Sequence, residues 1–272
     1  MKKELGQLPG ALSDFTKSIQ LGATSYKGYA NRGAVYTSMG DLSKALVDYQ
    51  KAFSLNPNNA QVMSGYGYAQ LQTGDLKGAI KTYDRAIQFQ PVNPEAYSNR
   101  GTAKYNTGNL AGAIEDYNVA IQQQPDYLFA IFNRGLAKIH SGNPQGAIND
   151  FVLVLEIDPN YVEAYSNMGI AWSRLGDSEK AFESYDKAIE INPTYFEAYL
   201  NRGIDRYYTK DFDKALLDLN TVIQLNTQVG AAYYFRGMIQ LASDREKACN
   251  DFQTAAQLGF PMASQAVRTH CS

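Results

Sequence analysis

The sequence predicts an all-α chain, an α-solenoid of stacked antiparallel helix pairs, on three observations. Glycine recurs at Gly33, Gly67, Gly101, Gly135, Gly169, Gly203 and Gly237, each 34 residues after the last. Alanine recurs at Ala45, Ala79, Ala113, Ala147, Ala181 and Ala215 with the same step, then at Ala248 after 33. Prolines close five of the units, at Pro57, Pro91, Pro125, Pro159 and Pro193. A fixed period of this length marks supersecondary units that cannot bury their apolar faces alone and so stack on their neighbours.

One unit shows why each half is helical. From Tyr26, the residues Tyr29, Gly33 and Tyr36 fall at i, i+4 and i+7, which places them on one face of a first helix. Gly40-Asp41 ends that helix, because glycine reaches the left-handed conformation without strain. Ala45, Tyr49 and Ala52 form the apolar stripe of a second helix, and Pro57 bars its extension. The same stripe repeats with a large residue at Tyr83, Tyr117, Phe151, Tyr185, Leu219 and Phe252. Its second small residue returns at Ala86, Ala120, Val154, Ala188, Val222 and Ala255. A helical glycine costs about 0.5–1 kcal/mol relative to alanine. Seven at one address imply helices that approach closely across them.

This pattern of large residues, Gly, Ala and Pro resembles the tetratricopeptide repeat. The resemblance covers seven units, 26–59, 60–93, 94–127, 128–161, 162–195, 196–229 and 230–261. It implies a right-handed superhelix of about one turn, and a function of binding protein. Ala11, Phe15 and Ser18 match a second helix, so residues 1–25 read as a partial repeat. The start, MKKELGQLPGAL, has no apolar core and reads as mid-repeat, so the natural start is expected upstream. Residues 262–272, after Gly259-Phe-Pro261, read as a capping helix.

Five units carry Arg32, Arg100, Arg134, Arg202 and Arg236 before the glycine. Sixteen places later, allowing for the final deletion, stand Asp48, Asp116, Asp150, Asp218 and Asp251. The units with Tyr66 and Met168 instead have Thr82 and Ser184. Charge at both places or at neither reads as an ion pair between the helices of one unit. The alternative is that the arginines face a groove and meet an acidic ligand. The pairing predicts that Arg134→Ala destabilises the fold more than it weakens binding.

In similar repeat superhelices the first helices line the concave surface. On that face fall the asparagines Asn31, Asn99, Asn133, Asn167 and Asn201. Carboxamides offer donors and an acceptor, matching the backbone of an extended peptide. The series resembles the asparagine ladder of the O-GlcNAc transferase superhelix; the other readings are a solvated polar face, or asparagines that tie neighbouring helices. From Phe129 onward, Leu136, Ile170, Ile204, Tyr208, Tyr234 and Phe235 make the same face apolar, with His140 and Arg174 among them. The heat-shock-chaperone pattern of basic and amide groups is not matched, since Ala30 and Ala34 stand in its first-unit positions.

The formal net charge of −2 excludes the basic stripe that nucleic acid requires. No run approaches the ~18 apolar residues of a membrane span. His140 and His270 lie far apart, and no HExxH, Cys-x-x-Cys or phosphate-binding loop occurs. No enzyme activity, metal or cofactor is therefore expected. Cys249 and Cys271 reflect onto each other through the turn near Gly259, so either they form a disulfide or both stay free. A disulfide would favour a periplasm or lumen, and free thiols the cytoplasm. The leading expectation is a scaffold that holds a partner peptide or helix in the groove, with assembly of a larger complex as one setting for it. The competing ones are self-association through the partial repeat, with its stripe Leu5, Leu8, Leu12 and Phe15, or a targeting module of a larger enzyme.

Overall fold

The structure, a computed structural model, describes residues 8–21 and 25–271, and every regular element among them is an α-helix. Leu5 of the partial-repeat stripe lies outside the described residues. The chain forms two compact units that divide after Ser141. The first contains α1 (Leu8–Gln20), α2 (Tyr26–Ser38), α3 (Leu42–Leu55), α4 (Ala60–Gln72), α5 (Leu76–Phe89), α6 (Pro94–Asn106), α7 (Leu110–Gln123) and α8 (Leu128–His140). The second contains α9 (Pro144–Ile157), α10 (Val162–Arg174), α11 (Ser178–Ile191), α12 (Phe196–Tyr208), α13 (Phe212–Leu225), α14 (Gly230–Gln240), α15 (Arg245–Gln257) and α16 (Ala263–His270). The division falls inside the repeat expected at 128–161.

The recurring residues of the sequence are the core. Tyr83, Tyr117, Phe151, Tyr185, Leu219 and Phe252 are all buried, as are the alanines that flank them. The helical glycines receive these rings. A β-carbon on Gly169 would stand 2.5 Å from the Tyr185 ring, and one on Gly101 2.9 Å from Tyr117. Only a residue without a side chain lets the two helices close to that distance. Where Leu219 replaces tyrosine the packing is looser, and a β-carbon on Gly203 would meet its nearest atom, the Asp218 Cβ, at 3.1 Å.

The turns between paired helices use one device. Gly40, Gly74, Gly108, Gly142 and Gly176 all have φ between 78° and 85°. The next residue caps the second helix: Asp41, Asp75, Asn109, Asn143 and Asp177 accept a hydrogen bond from the backbone N–H three residues on. The turn before α13 departs from this. Lys210 holds φ at 64°, and Asp211 makes no side-chain cap bond to the backbone. A non-glycine residue in this left-handed region costs about 1–2 kcal/mol.

At the C-terminal end α16 folds back on α15. The Phe252 ring packs with Ala248, Ala266 and Val267, and a disulfide joins Cys249 to Cys271 across a Cα separation of 5.6 Å. At the other end α1 buries none of its residues, and Leu8, Leu12 and Phe15 are half-buried.

Candidate peptide-binding wall

The arginine columns come first, because they decide which polar groups are spent on the frame. Arg32 holds Asp48 through two bonds, at 2.7 and 2.8 Å. Arg100 holds Asp116 at 2.9 and 2.6 Å, Arg202 holds Asp218 at 3.0 and 2.6 Å, and Arg236 holds Asp251 at 2.8 and 2.7 Å. The four aspartates are buried. These are fork-on-fork pairs, the geometry in which guanidinium best matches carboxylate. Two of the acids hold a further cation: Lys104 reaches Asp116 at 2.9 Å and Arg206 reaches Asp218 at 2.7 Å. Arg134 and Asp150 fall in different units.

The within-unit pair is only half of what each arginine does. The free arm of the guanidinium reaches back to the preceding second helix, sixteen residues earlier. Arg32 donates to Thr16, Arg100 to Asp84, Arg134 to Asn118, Arg202 to Asp186 and Arg236 to Asn220. Arg32, Arg100, Arg202 and Arg236 therefore staple consecutive helix pairs as well as the helices of one pair. This column was visible in the sequence. Sixteen residues before Tyr66 and Met168, which have no guanidinium, stand Gln50 and Val152. In those units the partner hydroxyls are satisfied otherwise, Thr82 by Gln70 at 2.7 Å and Ser184 by the Lys180 carbonyl at 2.7 Å.

With the arginines committed to the frame, the first helices carry the remaining polar groups. In the first unit α2, α4, α6 and α8 pack in succession, and in the second so do α10, α12 and α14. The asparagine series is not uniform along them. Asn31 is exposed, while Asn133 and Asn167 are half-buried. The amide nitrogens of the latter two donate to the carbonyls of Phe129 and Glu163 at 2.7 and 2.8 Å, one turn earlier in the same helix. That bond fixes the rotamer and leaves the amide oxygen and one N–H to a ligand. Asn201 reaches Ser166 of α10 at 3.4 Å. Asn99 differs, being buried beside Tyr83. The series is broken at Gly65, where a β-carbon would lie 2.3 Å from the Tyr49 ring, so no side chain fits.

Phe235 requires correction. Expected on the wall, it is buried, packed with Leu219 and Val222 and boxed by Tyr207 and Tyr234 at ring separations of 5.2 and 5.3 Å. Its ring turns into the core between α12 and α14, so it serves packing and offers no surface. The other apolar positions retain accessible area. Phe129 is 44% and Tyr208 68% exposed. Leu136, Ile170, Ile204 and Tyr234 are half-buried.

In the second unit several of these residues converge. Ile170, Ser173 and Arg174 of α10 and Asn201, Ile204, Asp205 and Tyr208 of α12 line an open depression of about 440 Å³, together with the buried Tyr185. The Tyr185 hydroxyl donates to Asp205 at 2.9 Å. Burial holds the Asp205 carboxyl above the usual carboxylate range, an effect that hydrogen bonds from Ser173 and Tyr185 offset in part. Asp205 was not among the expected wall residues. The signal that could have found it is a broken column: Val35, Ala69, Ala103, Ala137 and Ala171 precede it at the same address, all apolar and all buried.

Among the described residues no group of three or more His, Cys, Asp or Glu is placed to hold a metal, and no helix is long and apolar enough to cross a membrane.

Comparison with known proteins agrees with this architecture. The tetratricopeptide repeat family matches residues 26–59, 94–127 and 162–195, and a TPR repeat profile matches 67–108. No curated protein sequence matches the chain. Among solved structures, a tetratricopeptide repeat protein from Parabacteroides merdae aligns with a TM-score of 0.74 at 23% identity, covering 91% of this chain and 99% of that one. YrrB, described as a TPR protein with an unusual peptide-binding site, aligns with a TM-score of 0.57 at 27% identity, covering 68% of this chain and 95% of its own. MamA aligns with a TM-score of 0.57 at 24% identity, over 62% of this chain and 92% of its own. With the 34-residue register, the ring-on-glycine packing and these matches together, the chain is a tetratricopeptide-repeat protein.

Proposed function

We propose that the chain is a protein-interaction scaffold that holds an extended polypeptide against its first helices. The observation that carries this reading is the depression between α10 and α12. There an amide, Asn201, stands beside apolar area from Ile170, Ile204 and Tyr208. A few placed polar groups in an apolar concavity are what recognition of a peptide requires, the amide for its backbone and the apolar area for its side chains. Asn133 and Asn167, held by their own helices, extend the set of preset amides. The peptide-binding site ascribed to YrrB supports the reading as a likeness. Arg32, Arg100, Arg202 and Arg236 take no part in it, because their donors are consumed within the frame.

The test is selection of binders from a random displayed-peptide library on the intact chain, wild type against Asn201→Ala combined with Tyr208→Ala. Tyr208 is exposed and Asn201 is half-buried with one long bond to Ser166, so the double variant should melt within a few degrees of wild type. Peptides enriched on wild type should lose most of their binding to it. Equal recovery on both proteins would remove the proposal.

A further inference from the structure

The observation to explain is Asp205. Its address in the repeat is filled by buried apolar residues in the five preceding pairs, where the first helix packs closely. A carboxylate there loses hydration and packs no better than alanine. Among the described residues no cation is ion-paired to it. The neighbouring guanidiniums are engaged elsewhere, Arg202 on Asp186 and Asp218 and Arg206 on Asp218. What touches the Asp205 carboxylate are hydroxyls, Tyr185 from α11 and Ser173 from α10. Hydroxyls orient a carboxylate without balancing its charge.

The surroundings say what would balance it. Ile170 and Ile204 line the depression with aliphatic area, and Tyr208, largely exposed, adds an aromatic ring. Aliphatic walls beside an acid with no ion-paired cation complement one kind of side chain, a methylene stem with a cationic head. The exposed ring favours the same head, since ammonium and guanidinium groups bind over aromatic faces.

We infer that this depression is the anchor pocket for a lysine or arginine side chain of the bound polypeptide, with Asp205 its counter-ion. The assignment rests on the scaffold reading above and names the chemistry of the partner. Arg174 lines the same depression from α10 and is exposed.

The peptides enriched from the random library on the wild-type chain should share one lysine or arginine at a fixed place. Replacing that residue by norleucine, which keeps the stem and removes the charge, should weaken binding about 30-fold or more, the loss expected when one partner of a desolvated charge pair is removed. Asp205→Asn should abolish the preference for lysine over norleucine. Asp205→Ala should do the same. Enrichment of peptides with no shared basic place, or a lysine preference that survives Asp205→Asn, would overturn this inference and leave the scaffold reading standing. Absence of any enriched peptide would overturn both.

Discussion

The helix pair α6–α7 and the helix pair α12–α13 are built on the same frame and have diverged in use. Both bind an aspartate through an arginine with a second cation beside it, Asp116 by Arg100 and Lys104, Asp218 by Arg202 and Arg206. Both staple back to the preceding helix, through Asp84 and Asp186. Elsewhere they part. The first pair has a glycine turn at Gly108, a tyrosine against its helical glycine and alanine at position 103. The second has Lys210, Leu219 and Asp205 at those places. The comparison separates what the stack demands from what one pair can alter. The charge staple is kept because its loss would strand a buried acid. The turn, the ring and the alanine are open to exchange, each at a cost of order 1 kcal/mol, and one of the exchanges puts a carboxylate into a surface depression.

The largest expected effect tests what the pairs share. Asp116→Ala and Asp218→Ala each leave two cations without their central anion, and each should destabilise by about 3–5 kcal/mol. Urea unfolding of the two variants should give losses of similar size. A loss in one pair only would mean that the staples are not equivalent.

A smaller effect tests where the pairs differ. Gly101→Ala drives a methyl group into the Tyr117 ring and should destabilise by about 1–3 kcal/mol. Gly203→Ala meets side-chain carbon of Asp218 and Leu219 at 3.1–3.4 Å and gains up to about 1 kcal/mol of helix propensity, so it should be close to neutral. Thermal melts would check the contrast. Next comes the turn: Lys210→Gly should stabilise by about 1 kcal/mol and Gly108→Lys should destabilise by a similar amount, since only the left-handed backbone is at issue. No change in stability at either turn would show that the left-handed backbone costs a side chain nothing there.

The smallest effect is a pH dependence. The folded Asp205 carboxyl titrates above the unfolded one, so in the window between the two values the folded chain binds a proton that the unfolded chain does not. Stability relative to Asp205→Asn should therefore rise as pH falls through the raised folded value, and level off once the unfolded carboxyl also protonates. A flat difference would place Asp205 in water, and one that runs the other way would mean that charge or hydrogen bonds outweigh its burial.

Much of this was legible in advance because repetition turns one chain into its own alignment. Covariation of Arg32, Arg100, Arg202 and Arg236 with their aspartates pointed to contacts within each pair. The same columns held the backward contacts to Thr16, Asp84, Asn118, Asp186 and Asn220, which a reading confined to one unit passes over. Phe235 shows the limit of a helical wheel, which gives direction and not depth. The position shares the column of the ladder, but the ring packs in the core against Tyr207 and Tyr234. Asn99 fails in the same way, buried beside Tyr83. Asp205 and Lys210 were readable as breaks in their columns, and what they mean required burial and a backbone angle.

The claim on which the functional reading rests is that the first helices, and not the second, meet the partner. Site-specific incorporation of a photo-crosslinking phenylalanine derivative tests it most directly, at Tyr208 on α12 and at Leu217 on α13, two large residues of comparable exposure. A library-selected peptide should crosslink through position 208 and not through position 217. Crosslinking through 217 with silence at 208 would contradict the account.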